Sequence, residues 1–96
     1  MRIRVRAFLT AREALGGQKA VTLNVKEATI ADLLQELSIQ FGESFEQMFF
    51  DPQSGAISEQ IAILVNGRHY THLPHRLDTP LQDGDDVALF PPIAGG

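Results

Sequence analysis

The residues best suited to chemistry stand together at the end of this chain, which closes Phe90-Pro91-Pro92-Ile93-Ala94-Gly95-Gly96. Glycine has no Cβ, so a Gly-Gly pair can lie extended in a channel that any side chain would block. Pro91 and Pro92 hold the backbone near polyproline geometry and cannot donate to a sheet ladder. They are expected to lead residues 91–96 off the body as a flexible tail. The carboxylate of Gly96 is then a handle for acyl transfer. Its reference pKa of roughly 3.3–3.7 leaves it ionised and a poor electrophile at neutral pH. It must be activated before a nucleophile can attack its carbonyl. Many chain ends simply fray, but a frayed end is usually polar, and this one is apolar and stiffened by proline.

Other chemistry is thin. The chain has no cysteine, which excludes a disulfide framework, a cysteine-ligated iron–sulfur or zinc site and a catalytic thiol. If the protein handles sulfur, that sulfur cannot sit on its own side chain. His69, His72 and His75 recur at every third residue. Pro74 interrupts them and a strand-to-loop path scatters the rings, so no metal site is expected. Asp83, Asp85 and Asp86 lack calcium-loop spacing and form a turn. Gly16-Gly17 is followed by neither Lys-Ser/Thr nor a helix, which makes it a turn and not a phosphate cradle.

With 96 residues, the chain is one domain spanning 1–96. Its net charge of −4 argues against a nucleic-acid surface and against an anionic-membrane patch. No apolar run approaches the ~20 residues of a membrane span. The arginines of Met1-Arg2-Ile3-Arg4-Val5-Arg6 alternate with apolar residues and precede no apolar core, unlike a signal peptide. A soluble cytoplasmic protein is expected.

The elements that must position the tail follow from periodicity. Arg2–Leu9 alternates, with Ile3, Val5 and Ala7 on one face and Arg4, Arg6 and Phe8 on the other, and reads as a half-buried strand. Ala20–Val25 alternates again, predicting an antiparallel hairpin with a helical turn near 10–15 between the strands. Thr29 and Asp32 form a capping-box pattern before Ile30, Leu33, Leu34, Leu37 and Phe41, the apolar stripe of a helix that Gly42 stops. Glu43–Phe50 predicts a short second helix whose Phe45, Met48 and Phe49, with Phe50, form a satellite core. Ile61–Val65 is a strand, Asn66-Gly67 a hairpin turn and Arg68–Tyr70 the return. Pro74 to Pro80 is irregular, anchored by Leu77 and Leu81. Asp86–Phe90 is a last strand with Val87 and Leu89 inward. The fold class is α+β, a mixed sheet with one main helix across one face; a return through the helix would set the first and last strands parallel at its centre, an order that periodicity alone does not give.

Tail and element order together resemble the ubiquitin-like sulfur carriers of β-grasp fold, especially the small subunit of molybdopterin synthase. The residues that carry the resemblance are Ile3–Phe8 with Arg12-Glu13, Val65-Asn66-Gly67, Pro80–Asp85 and Val87–Gly96. It covers nearly the whole chain and is weakest from Glu43 to Glu59. The related thiamin-pathway carriers also end in Gly-Gly but typically lack the Phe-Pro-Pro approach.

The resemblance implies a division of labour. An ATP-dependent adenylating enzyme, using magnesium, makes an acyl-adenylate on Gly96. A sulfur donor protein then displaces AMP, leaving a thiocarboxylate that supplies sulfur to a pterin precursor on the large synthase subunit, in a heterotetramer of two small and two large subunits. Gly95 lets the tail thread. The catalytic residues belong to these partners, and this chain binds no cofactor of its own.

Strand parity also predicts a docking surface. Phe8, Leu64 and Phe90 fall on the sheet face opposite the core set, and an apolar patch there suits an interface. The resemblance adds His69, and the tail's approach adds Pro91 and Pro92 to the partner contacts. Sulfur carriage for molybdopterin, or for the related tungsten pterin, has the thiamin-pathway carrier as its alternative, and two functions of other kinds stay open. One is a protein modifier joined through Gly96 to target lysines; the other is a scaffold whose Gly-Gly is incidental.

Overall fold

The computed structural model describes residues 1–92. Strand β1 (Arg2–Ala7) buries Ile3, Val5 and Ala7 and turns its three arginines the other way. This is the expected alternation, and it decides which sheet face becomes the core. Strand β2 (Ala20–Asn24) pairs with β1 antiparallel, Val5 opposite Val21 and Ile3 opposite Leu23. Strand β3 (Ala62–Val65) turns into β4 (Arg68–His69) through Asn66-Gly67, whose φ values of 52° and 86° are those of a type I′ hairpin turn. Strand β5 (Asp86–Phe90) lies between the two hairpins, parallel to β1 and antiparallel to β3. The order is β2-β1-β5-β3-β4, with the first and last strands adjacent at the centre as predicted.

Helix α1 (Ile30–Phe41) starts at the anticipated capping box. Thr29 Oγ1 accepts the Asp32 N–H at 3.2 Å, and the Asp32 carboxylate accepts the Thr29 N–H at 2.9 Å. The helix packs Ile30, Leu33, Leu34 and Leu37 into the core with Val5, Val87, Leu89 and Ile63. Gly42, at φ 65°, ends α1 and opens α2 (Glu43–Phe49).

Two expectations need correction here. Phe45 and Phe49 are fully buried, stacked at 4.7 Å, and belong to the principal core instead of a satellite. The α2 helix packs on α1 and on a 3₁₀ segment, Leu9–Leu15, which also buries Ala11, Ala14 and Leu15. The first strand also ends earlier than Leu9. The Phe8 N–H still donates to the Leu89 carbonyl at 3.0 Å, but Leu9 takes φ 55° and turns the chain into the 3₁₀ segment.

The region from 70 to 81 consists of two short 3₁₀ turns, Tyr70–His72 and Arg76–Asp78. Leu81 is buried and Leu77 packs partly against the core. Backbone bonds from Ile30 N–H to the Thr79 carbonyl and from Leu81 N–H to the Ala28 carbonyl tie this region to the start of α1.

Candidate functional site

The sheet face turned away from α1 holds the predicted docking residues. Cross-strand register sets Arg6 of β1, Ala88 of β5, Leu64 of β3 and His69 of β4 in one row. Next to it, Phe90 pairs with Ala62. The Phe8 and Phe90 rings stack with centroids 4.6 Å apart and planes 5° from parallel. Phe8, Leu64, His69 and Phe90 are all half-buried, so each packs on its neighbours and still presents surface to solvent.

An ion pair fixes the edge of the stack. The Arg6 guanidinium donates to both Asp86 carboxylate oxygens, Nε at 2.9 Å and Nη2 at 2.7 Å. Its carbon lies 5.2 Å from the Phe8 ring centroid, within cation–π range. Arg6 is thus held over Phe8 while clamping β1 to β5. Arg2 and Arg4, also exposed on β1, have no ion pair among the described residues. They run beside the turn that leads into β5: the Asp83 carboxylate accepts the Arg2 N–H at 2.7 Å, and Arg4 is in register with Asp86.

The site continues into the tail. Phe90 is the last residue of β5, and Pro91-Pro92 follow at once. Pro92 lies at a groove whose walls come from Gln47, Met48 and residues of the 50–60 loop. The segment of weakest resemblance therefore flanks Pro92, the last described residue.

Comparison with known proteins agrees with this geometry. Residues 5–96 match the ThiS family. The chain belongs to that family. It is 36% identical over 97 residues to small archaeal modifier protein 3 of Haloferax volcanii, covering 100% of both chains. The crystal structure of small archaeal modifier protein 1 from the same organism superposes with a TM-score of 0.80 at 28% identity and 100% coverage of each. A Pyrococcus furiosus chain named as molybdopterin converting factor, subunit 1, superposes at 0.73 with 27% identity, covering 97% of this chain and 99% of that one. The five-stranded mixed sheet with its crossing helix is the ubiquitin-like β-grasp.

In this ThiS-family chain the structure brings Phe8 and Phe90 into contact and sets Leu64 opposite His69 on β3 and β4 of the same sheet. The prolines divide. Pro91 is buried and Pro92 exposed, so of these two expected contacts only Pro92 is on the surface; Pro91 packs against the body because β5 runs straight into it. Gly95 and Gly96 lie outside the described residues. One ring nitrogen of His69 caps the turn after β4, accepting the Thr71 N–H at 3.2 Å, and the His69 and His72 centroids are 6.3 Å apart. Among the described residues no group of three His, Cys, Asp or Glu side chains is placed to hold a metal. No helix among them is long and apolar enough to cross a membrane.

Sequence reasoning missed two parts of this face. The Arg6–Asp86 clamp joins residues 80 positions apart and leaves no local signal. Leu9, 72% exposed, was expected to close a strand and instead occupies a left-handed turn.

Proposed function

We propose that this chain is an acyl carrier of sulfur: the Gly96 carboxyl is adenylated by a separate ATP-dependent enzyme and converted to a thiocarboxylate. The observation that carries this reading is the Phe8–Phe90 stack at the root of the tail. A partner that grips the sheet face there holds the strand that leads in sequence to Gly95-Gly96. In the first step a carboxylate oxygen attacks the α-phosphate of ATP and pyrophosphate leaves. In the second, hydrosulfide attacks the acyl carbon, the acyl–oxygen bond to the phosphate breaks, AMP leaves and the thiocarboxylate remains after loss of the proton. Glycine at 95 and 96 keeps both steps free of side-chain obstruction.

Within that chemistry, we assign the chain to molybdopterin synthesis as the small subunit of a two-subunit synthase, the large subunit taking the sulfur. Support comes from the Phe-Pro-Pro approach to the terminal glycines and from the likeness to the Pyrococcus chain. Full-length similarity to small archaeal modifier proteins favours a second use of the same activated carboxyl: an isopeptide bond to lysines of other proteins. Intact mass after incubation with an adenylating enzyme, ATP and a sulfur source separates the two. Carriage gives a gain of about 16 Da, one oxygen exchanged for sulfur, whereas conjugation gives adducts with larger proteins. Deleting Gly96 abolishes both; activity that survives the deletion rules out either reading.

A further inference from the structure

Charge is spread unevenly along this chain. Between Lys26 and Arg68 there are seven carboxylates and neither lysine nor arginine, whereas the rest of the chain holds all eight basic residues with five acidic ones. The one ion pair among the described residues, Arg6–Asp86, lies outside that stretch. The acidic stretch comprises α1, α2, the 50–60 loop and β3. A surface of one sign attracts cations over a Debye length of about 8 Å at physiological salt. Carboxylates alone do not locate a site, but a groove beside Pro92 does.

That groove runs between α2 and the 50–60 loop. Half-buried Met48, Phe50 and Ile57 give it apolar walls, Asp51 and Glu59 add carboxylates, and Pro92 lines it as well. The loop is braced in advance. Phe50 bridges to Ile57, the Ala56 carbonyl accepts the Asp51 N–H at 2.7 Å, and the Phe49 carbonyl accepts the Ser58 N–H at 2.9 Å. A preformed groove spares its ligand the cost of ordering it. Apolar walls with carboxylates suit a lysine or arginine, whose methylene stem lies on apolar surface while its head meets charge.

Position then decides whose side chain this is. Gly96 is the fourth residue after Pro92. At no more than about 3.6 Å per residue, its Cα lies within about 14 Å of that of Pro92. A polypeptide joined to the Gly96 carbonyl is therefore held within reach of the groove, and the same distance spans about four residues of extended peptide.

We propose that this groove selects the acceptor when the chain serves as a modifier. It holds a lysine or arginine that lies within about four residues of the lysine receiving Gly96. This rests on the conjugation reading above and adds a specificity site to it. In the joining step the neutral ε-amine of the acceptor lysine attacks the acyl carbon of the Gly96 adenylate. The C–N bond forms, the acyl–oxygen bond to the phosphate breaks, AMP leaves and the amine gives up its proton to solvent. The groove takes the flanking cation and not the reacting amine, because carboxylates beside an amine favour its ammonium form and silence it as a nucleophile.

The test uses three synthetic peptides, each with a single lysine, that differ only in a pair of residues three positions before it: Arg-Arg, Ser-Ser or Glu-Glu. Each is incubated with the full chain, ATP and an adenylating enzyme selected for its activity on the wild type. The rate of conjugate formation, read by intact mass, is divided by that chain's own rate of ATP–pyrophosphate exchange. Wild type is expected to favour the arginine peptide over the serine peptide about five- to tenfold at low salt, the scale of two partly solvated ion pairs. The glutamate peptide is slowest, and the spread narrows as salt is raised. Exposed Glu59 carries the reversal: Glu59→Lys is expected to bring the arginine-to-serine ratio to about one, with Glu59→Gln in between. Equal rates for all three peptides with wild type overturn the groove's role and leave conjugation standing. A preference that survives Glu59→Lys belongs to the adenylating enzyme and also overturns the proposal. No conjugate with any peptide, while pyrophosphate exchange proceeds, ends the conjugation reading and this proposal with it.

Discussion

The two faces of one sheet are built from the same five strands and obey opposite rules. Inward, Val5, Val87, Leu89 and Ile63 meet α1 and α2 in fully buried aliphatic and aromatic packing. Outward, the same strands carry a half-buried aromatic stack, an ion pair clamped across it, and two further arginines along the aspartate turn before β5. The first arrangement stabilises the fold. The second leaves apolar surface partly open to solvent, the kind of patch that commonly marks an interaction site. A period of two lets one strand serve both ends without compromise, since neighbours along the chain never share a face.

Substitutions on the two faces should therefore separate cleanly, and the inner face should show the largest loss. Phe45→Ala removes a ring from the principal core and is expected to cost about 3–5 kcal/mol of stability, read as a large drop in the urea midpoint. A loss under about 1 kcal/mol would demote α2 to the satellite role its sequence suggested. On the outer face, Phe90→Asp is expected to weaken binding to the adenylating enzyme about 30-fold, the scale of an interface hot spot, with a far smaller change in melting temperature. Calorimetric titration measures it; equal damage to fold and binding would collapse the distinction between the faces. Thr29→Ala, away from both faces, tests the capping box and should lower stability by about 1 kcal/mol with docking untouched. Arg6→Gln should have the smallest effect on stability, below about 1 kcal/mol for a partly solvated pair. Its influence on docking should shrink as salt is raised from low to high ionic strength.

Much of this was legible beforehand, for reasons that differ by element. Thr29-x-x-Asp32 and Asn66-Gly67 are local devices whose side chains make their own geometry, so both appear where the residues put them. Parity placed Phe8, Leu64 and Phe90 on a common face because side-chain direction alternates without regard to tertiary context. Their meeting, however, depends on β1 lying parallel to β5, a pairing between opposite ends of the chain. Phe45 and Phe49 were undervalued because a seven-residue helix is too short for its period to reveal what it packs against. Leu9 was illegible for a further reason. Leucine carries no preference for left-handed backbone, and the demand for it arises only where the strand must give way to the 3₁₀ segment.

The central place of β5 has a mechanical consequence. A tail joined to another molecule becomes a tether, and tension along it enters the body at buried Pro91 and passes to Phe90. There the load falls lengthwise on hydrogen bonds to β1 on one flank and β3 on the other, in shear, so the bonds must yield together and not one at a time. Had the tail left from an edge strand, the same pull would have unzipped the sheet from its border.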